Sequence, residues 1–274
     1  MDIKAFKMDG LGNDFVIIDQ RYQNYNLTKD QIIKICDRKF IGCDQLIFIK
    51  KSDEKDAGLE FYNSDGSISG ACGNGTRCAA DLLSKENNDK EIILWTSSGA
   101  LKSQILGDNL VETEIGVPKM NWDEIPLNQN LDTKNLKIKI VNKNNIEHIG
   151  GTSVNVGNPH VVFFVDNIED YDLKKIGPEI ENHKYFPEKC NVTLAQVINK
   201  KLIKVKVWER GAGLTKACGT AACATAVAGN INGLTDKTTD IEFALGRLSI
   251  SIDKNNSIHM KGPVSDIENI EINI

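Results

Sequence analysis

Two cysteines sit in nearly the same local sequence. Cys72 lies in GACGNGTRC, residues 70–78, and Cys218 in KACGTAAC, residues 216–223. Each is followed by a run rich in Ala, Gly and Thr that reads as a helix starting just after the thiol. At a helix start the first backbone N–H groups lack partners and the dipole is positive. A thiol placed there has its pKa lowered, and the same N–H groups bind carboxylate or phosphate. Gly73 and Asn74 in one copy, and Gly219 and Thr220 in the other, keep that end open to a close ligand. With the two copies face to face, one thiolate would remove a proton from a carbon next to a carboxylate. The opposite thiol would return a proton to the other face. Each well-placed oxyanion donor is worth roughly 3 to 4 kcal/mol, and general acid–base transfer contributes about 10²- to 10⁴-fold. The chemistry is racemisation or epimerisation without a cofactor. The plainer alternative makes Cys72 and Cys218 structural thiols at the starts of two packing helices.

The repetition extends beyond the cysteines, which are 146 residues apart. FYNSDGSISGAC (61–72) aligns without gaps on VWERGAGLTKAC (207–218), and GNDFVIID (12–19) on GNPHVVFF (157–164). Gln45 then falls opposite Asn191, and Asn13 opposite Asn158. Three matched segments at nearly one offset indicate a duplication. The two copies differ where Asn63-Ser64 aligns with Glu209-Arg210. An acid beside an arginine can hold an ammonium and a carboxylate together, the handle of an amino acid. A substrate with two amino-acid heads would set one between the thiols and the other against Glu209 and Arg210. A strand-end surface ion pair is the ordinary alternative for those two residues. His160, two residues after Asn158, reads either as a core histidine or as a polar partner that tunes a thiol.

The elements that must position these residues follow from periodicity. Alternating segments at 3–8, 45–50, 91–96 and 110–117 read as strands, and their counterparts lie at 160–165, 191–198, 202–209, 240–245 and 248–253. Thr28 caps a helix through Ile32, Ile33 and Cys36, and residues 177–182 read as a short helix with Pro178 near its first turn. The helix after Cys218 is apolar around nearly its whole circumference, which predicts burial on all sides. The expected fold is α+β, with two pseudo-symmetric halves, each of strands wrapped around a central helix. The halves are residues 1–118, completed by 264–274, and 119–263. The join falls near 117–130, which holds Pro118, Pro126 and a polar run.

Composition narrows the class. The chain has 274 residues, 41% hydrophobic and 26% charged, which suits two ordinary globular domains. A net charge of −5 with interspersed signs argues against a nucleic-acid partner. No apolar run reaches membrane-spanning length, and the N-terminus alternates like a strand rather than a signal peptide, so a cytoplasmic protein without a membrane partner is expected. The seven cysteines are odd in number, which argues against a disulfide framework. Cys36, Cys78 and Cys223 read as small buried hydrophobes. There is no Cys-x-x-Cys, and the four histidines are scattered, so no metal site is expected.

GLGNDFVIID (10–19), FYNSDGS (61–67), ACGNGTRC (71–78), GNPHVV (157–162), FPEKCNV (186–192) and ERGAGLTKACGTAACA (209–224) occur in this order, and together they resemble the diaminopimelate epimerase family over nearly the whole chain. The resemblance implies interconversion of LL- and meso-diaminopimelate, on the route to lysine and peptidoglycan, with no pyridoxal phosphate and no metal. It implies Cys72 and Cys218 as the acid/base residues, with His160 and Glu209 as supporting polar groups. Asn13, Gln45, Asn63, Asn158, Asn191, Glu209 and Arg210 would hold substrate, and Gly73, Asn74, Gly219 and Thr220 would supply the helix-end contacts. Leu214 stands where many members have Glu, and Ala221 where many have Gly. The resemblance also implies a homodimer, although Glu268 stands about where the family's dimer-contact aromatic falls.

Two other readings compete. A proline- or hydroxyproline-type racemase would also use paired cysteines, but its substrate has no second amino-acid head for Glu209 and Arg210. A non-catalytic amino-acid-binding protein would keep the polar residues and need neither thiol.

Overall fold

The strands and helices alternate in an order that repeats halfway through the chain. A computed structural model describes residues 2–70, 72–97 and 99–274, so Ala71 of the first cysteine motif lies outside the described residues. In chain order the elements are β1 (Asp2–Gly10), β2 (Asn13–Asp19), α1 (Lys29–Cys36), β3 (Gln45–Lys50), β4 (Ala57–Asn63), β5 (Ile68–Ser69), α2 (Gly73–Asn87), β6 (Glu91–Thr96), β7 (Gly99–Gly107) and β8 (Leu110–Gly116). They continue with β9 (Ile138–Val141), β10 (Glu147–Gly150), β11 (Thr152–Asn155), β12 (Pro159–Phe164), α3 (Leu173–Glu181), β13 (Asn191–Asn199), β14 (Leu202–Glu209), β15 (Gly213–Thr215), α4 (Gly219–Ile231), β16 (Thr238–Phe243), β17 (Gly246–Ile252), β18 (Ile258–Pro263) and β19 (Glu268–Asn273). Among the described residues no helix is long and apolar enough to cross a membrane.

The chain divides into two compact units, residues 1–114 with 261–274, and residues 115–260. In the first unit β1 pairs antiparallel with β2 and with the terminal strand β19, where Ile3 faces Ile272. β2 runs parallel to β3, and β3 antiparallel to β4. The second unit repeats this pattern with β12, β13 and β14. The register is kept residue by residue. Phe15 pairs with Gln45 as His160 pairs with Asn191, and Phe61 with Ser69 as Val207 with Thr215. A duplicated sequence therefore folds twice into one strand plan, because the alternation that fixes which residues face inward is the same in both copies.

Each unit packs its strands on one small-residue helix. Cys78, Ala79, Ala80, Leu82 and Leu83 of α2 are buried against Met8, Phe15, Ile17, Ile47 and Phe61. In α4, Ala221, Ala222, Cys223, Ala224 and Ala228 are fully buried, as expected for a helix apolar on every side. Its one polar interior side chain, Thr225, turns back to Ala221 O at 2.7 Å and so leaves no unmet donor. α1 carries a complete capping box, with Thr28 and Gln31 serving each other's backbone N–H groups.

Two segments differ from the sequence expectation. α3 begins one turn earlier than residue 177, and Pro178 lies inside the helix rather than near its first turn. Asp172 caps it by accepting from Lys174 N at 3.1 Å, and Leu173, Ile176 and Ile180 form a buried apolar stripe that carries the helix past the proline. The stretch 117–130 joins the second unit's core through Ile125 and Leu127, with Trp122 packed beside them. Its polar residues made it read as a join, but these three apolar side chains anchor it.

Candidate active site

The first unit's thiol sits at the N-cap of α2. Cys72 adopts φ −135° and ψ 111°, an extended conformation that frees its side chain from the helix. Its Sγ donates to Asn13 Oδ1 at 3.6 Å, and Asn74 Nδ2 donates to the same oxygen at 3.3 Å. Asn13 arrives from the start of β2, so one strand end and one helix start converge. Its own amide nitrogen donates to Asp44 Oδ2 at 3.0 Å, which fixes which way the amide points. Arg77, fully buried, donates from Nη2 to Asn74 Oδ1 at 3.0 Å. Gly73 is the first helical residue. Gln45 and Asn63 face each other in the β3–β4 ladder, with Gln45 Nε2 donating to Asn63 Oδ1 at 3.0 Å. Gln45 Oε1 is buried without a hydrogen-bond partner among the described residues, an acceptor left open.

The second unit repeats the arrangement with different chemistry around it. Cys218 is the N-cap of α4 at φ −144° and ψ 115°, close to the angles at Cys72. Its Sγ lies 3.4 Å from Thr220 Oγ1, and Gly219 begins the helix. The helix-start position predicts a lowered thiol pKa. At Cys218 the direction is opposite. Burial pushes the thiol well up and the Glu209 carboxylate adds to it, outweighing Thr220 and the Ala221 N–H. A desolvated thiolate facing a carboxylate costs more than the helix end returns.

Four of the remaining predicted residues of this unit fall into two hydrogen-bonded groups. Asn191 Nδ2 donates to Pro159 O at 2.9 Å, and Asn191 Oδ1 accepts from Arg210 N at 3.0 Å. The Arg210 guanidinium donates to Glu188 O at 2.8 Å. His160 Nε2 and Asn158 Oδ1 are 2.8 Å apart. Three supporting residues escaped the sequence reading: Asp44, Arg77 and Glu181. Glu181 accepts from Trp208 Nε1 at 2.7 Å and from Gly211 N at 3.1 Å, pinning both sides of Glu209-Arg210. Asp44 stands next to Gln45, which was its one available signal. Nothing local to Glu181 announces its role, because its partners lie 27 and 30 residues away.

His160 is fully buried, and burial followed by the Arg210 cation lowers its pKa to about 3. The imidazole is therefore neutral in the folded protein at neutral pH. In the unfolded chain it titrates near 6.5. Between these values the unfolded chain holds a proton the folded chain lacks, so His160's contribution is complete above about pH 6.5 and is lost as pH falls. Urea unfolding of His160→Gln should show a shallower fall in stability between pH 6.5 and 4 than the unsubstituted protein. Equal slopes would contradict the burial argument.

The fold and these thiols define a class: an α+β protein of two like units, each starting its central helix with a cysteine. Among solved structures, the Bacillus anthracis phenazine biosynthesis protein of the PhzF family shares the fold at a TM-score of 0.70, with 15% identity and all of both chains covered. The sequence model of the diaminopimelate epimerase family matches residues 5–121 and 152–267. A diaminopimelate epimerase of Pelagibacter ubique (strain HTCC1062) is 77% identical over 274 residues, with 100% of each chain covered. One from Acidiphilium cryptum (strain JF-5) is 39% identical over 260 residues, covering 94% of this chain and 92% of its own. The chain belongs to the diaminopimelate epimerase family, and it is an isomerase.

Proposed function

We propose that this enzyme interconverts LL- and meso-diaminopimelate by a two-thiol mechanism that needs neither cofactor nor metal. The observation that carries the reading is the pair of equivalent N-cap cysteines, Cys72 and Cys218, in a chain of this family. One thiolate takes the α-proton and becomes a thiol. The other thiol gives its proton to the opposite face of the carbon and becomes a thiolate. Burial holds Cys218 protonated, so it serves as the donor at rest. When turnover runs the other way, Glu209 is the carboxylate that acts on this thiol. The N–H groups of Gly73, Asn74, Gly219 and Thr220 hold the carboxylate as it gains enediolate charge. Preorganised donors of this kind are worth roughly 3 to 4 kcal/mol each.

Asn13, Asn158 and neutral His160 orient the reacting head. Gln45, Asn63, Asn191 and Arg210 hold the far amino-acid head, with the open Gln45 Oε1 accepting from its ammonium. A proline-type racemase would leave Arg210 and the Gln45–Asn63 pair without a ligand group, so that alternative is not favoured. A cytoplasmic homodimer acting on this small molecule, with no nucleic-acid or membrane partner, completes the reading.

The test is incubation of the enzyme in D₂O with LL-diaminopimelate, meso-diaminopimelate or L-proline. Deuterium should enter the α-carbon of the diaminopimelate isomer formed. Exchange into proline alone, or into none of the three, would overturn the proposal.

A further inference from the structure

The site described above leaves two cysteines unused that lie against each other elsewhere in the first unit. We propose that Cys36 and Cys43 form a second dithiol site, which reacts with oxidants of the peroxide class by closing one intramolecular disulfide. Their sulfurs are 3.5 Å apart, with the Cys43 thiol donating to Cys36. The chain is folded to bring them there. Cys36 ends α1, and Gly42 at φ +78° turns the loop so that Gly42 N reaches Ile35 O at 3.0 Å and Cys43 N reaches Cys36 O at 3.3 Å. A Cβ at Gly42 would lie 2.8 Å from Arg38 Cα, so only glycine permits this return. The sulfurs then need to approach by about 1.5 Å, shared between two side chains, to reach bonding distance near 2.05 Å.

The surroundings favour reaction here over the buried thiols Cys78 and Cys190. The thiol–thiol hydrogen bond, helped by Arg38, lowers Cys36 below the usual thiol value and raises Cys43. Burial instead raises Cys78 and Cys190, which leaves them protonated and inert. A surface pocket lined by Cys36, Cys43, Arg38, Asp44 and Ser64 gives a small oxidant a path to the pair. In the reaction the Cys36 thiolate attacks one peroxide oxygen. The O–O bond breaks, sulfenic acid forms, and the departing hydroxide takes a proton to become water. The Cys43 sulfur then displaces the sulfenic oxygen, which leaves as a second water. Both sulfurs are oxidised by one electron each, and hydrogen peroxide is reduced to two waters.

The experiment uses the full chain with Cys72→Ala and Cys218→Ala, so that the N-cap thiols cannot contribute. After treatment with hydrogen peroxide, the intact chain should be lighter by two hydrogen atoms. Tryptic digestion should yield residues 35–38 linked to residues 40–50, and dithiothreitol should release them. Adding Cys36→Ser or Cys43→Ser should abolish the linked species while circular dichroism stays unchanged. Linkage between chains, oxygen addition at single cysteines without linkage, or an unchanged mass with the fold intact would each overturn the proposal.

Discussion

Cys72→Ala should lower kcat by about 10⁴-fold or more, the upper range for a general acid–base group, while leaving the fold intact. The thiol is the only group at the N-cap of α2 proposed to carry a proton, and water cannot replace a base aimed at one face of a carbon. The cost to stability should be about 1 kcal/mol, typical of a single substitution, because Cys72 is only partly buried where it packs against the first unit's core. Cys72 makes no side-chain cap to its own helix, and Thr76 N reaches the Cys72 carbonyl at 2.8 Å, a bond that alanine retains. Cys218→Ala should fall similarly, because a two-base reaction loses both directions when either base is gone. Steady-state assays from each stereoisomer, with thermal unfolding of the same samples, check this. Either variant retaining more than a tenth of wild-type turnover would rule out the two-thiol mechanism.

Gly177→Ala should destabilise the second unit by about 1–3 kcal/mol, the usual range for overpacking, and should raise KM. An added Cβ would stand 2.4 Å from both Cγ and Cδ2 of Trp208 and 2.8 Å from Cε3. Alanine would gain roughly 0.5–1 kcal/mol over glycine inside a helix, too little to offset a displaced indole. The indole cannot swing freely, because its Nε1 is held by Glu181 Oε2 at 2.7 Å. Moving it frees a buried carboxylate that also holds Gly211 N, and Glu209 and Arg210 lie between those two anchors. Urea midpoints and KM should therefore shift together. Trp208→Leu placed on the alanine variant should cost less than the two changes summed, the sign of a shared contact. A midpoint equal to or above wild type in Gly177→Ala would refute the packing argument.

Much of the architecture is legible in the chain because strand alternation and the two cysteine motifs each point to one structure. The strands at 45–50, 91–96 and 202–209 fall where period-two patterning puts them. The burial of α4 follows from its composition. What escaped was set by which side chains the folded units bury. Pro178 masked the first turn of a helix that Leu173, Ile176 and Ile180 sustain, and polar residues around Ile125 and Leu127 hid a core segment. The charge state of Cys218 shows the same limit. Its helix-end position is written locally, whereas its burial and the reach of Glu209 come only from the folded unit.

The pairing of β19 with β1 has a consequence during synthesis. Residues 115–260 are contiguous, whereas the first unit lacks the partner of β1 until residues 268–273 are made. The second unit can therefore settle first, while Ile3 and Ala5 wait for Ile272 and Ile270. A chain cut before residue 268 would carry one finished thiol-bearing unit and one with an unpaired, aggregation-prone strand segment at residues 2–5.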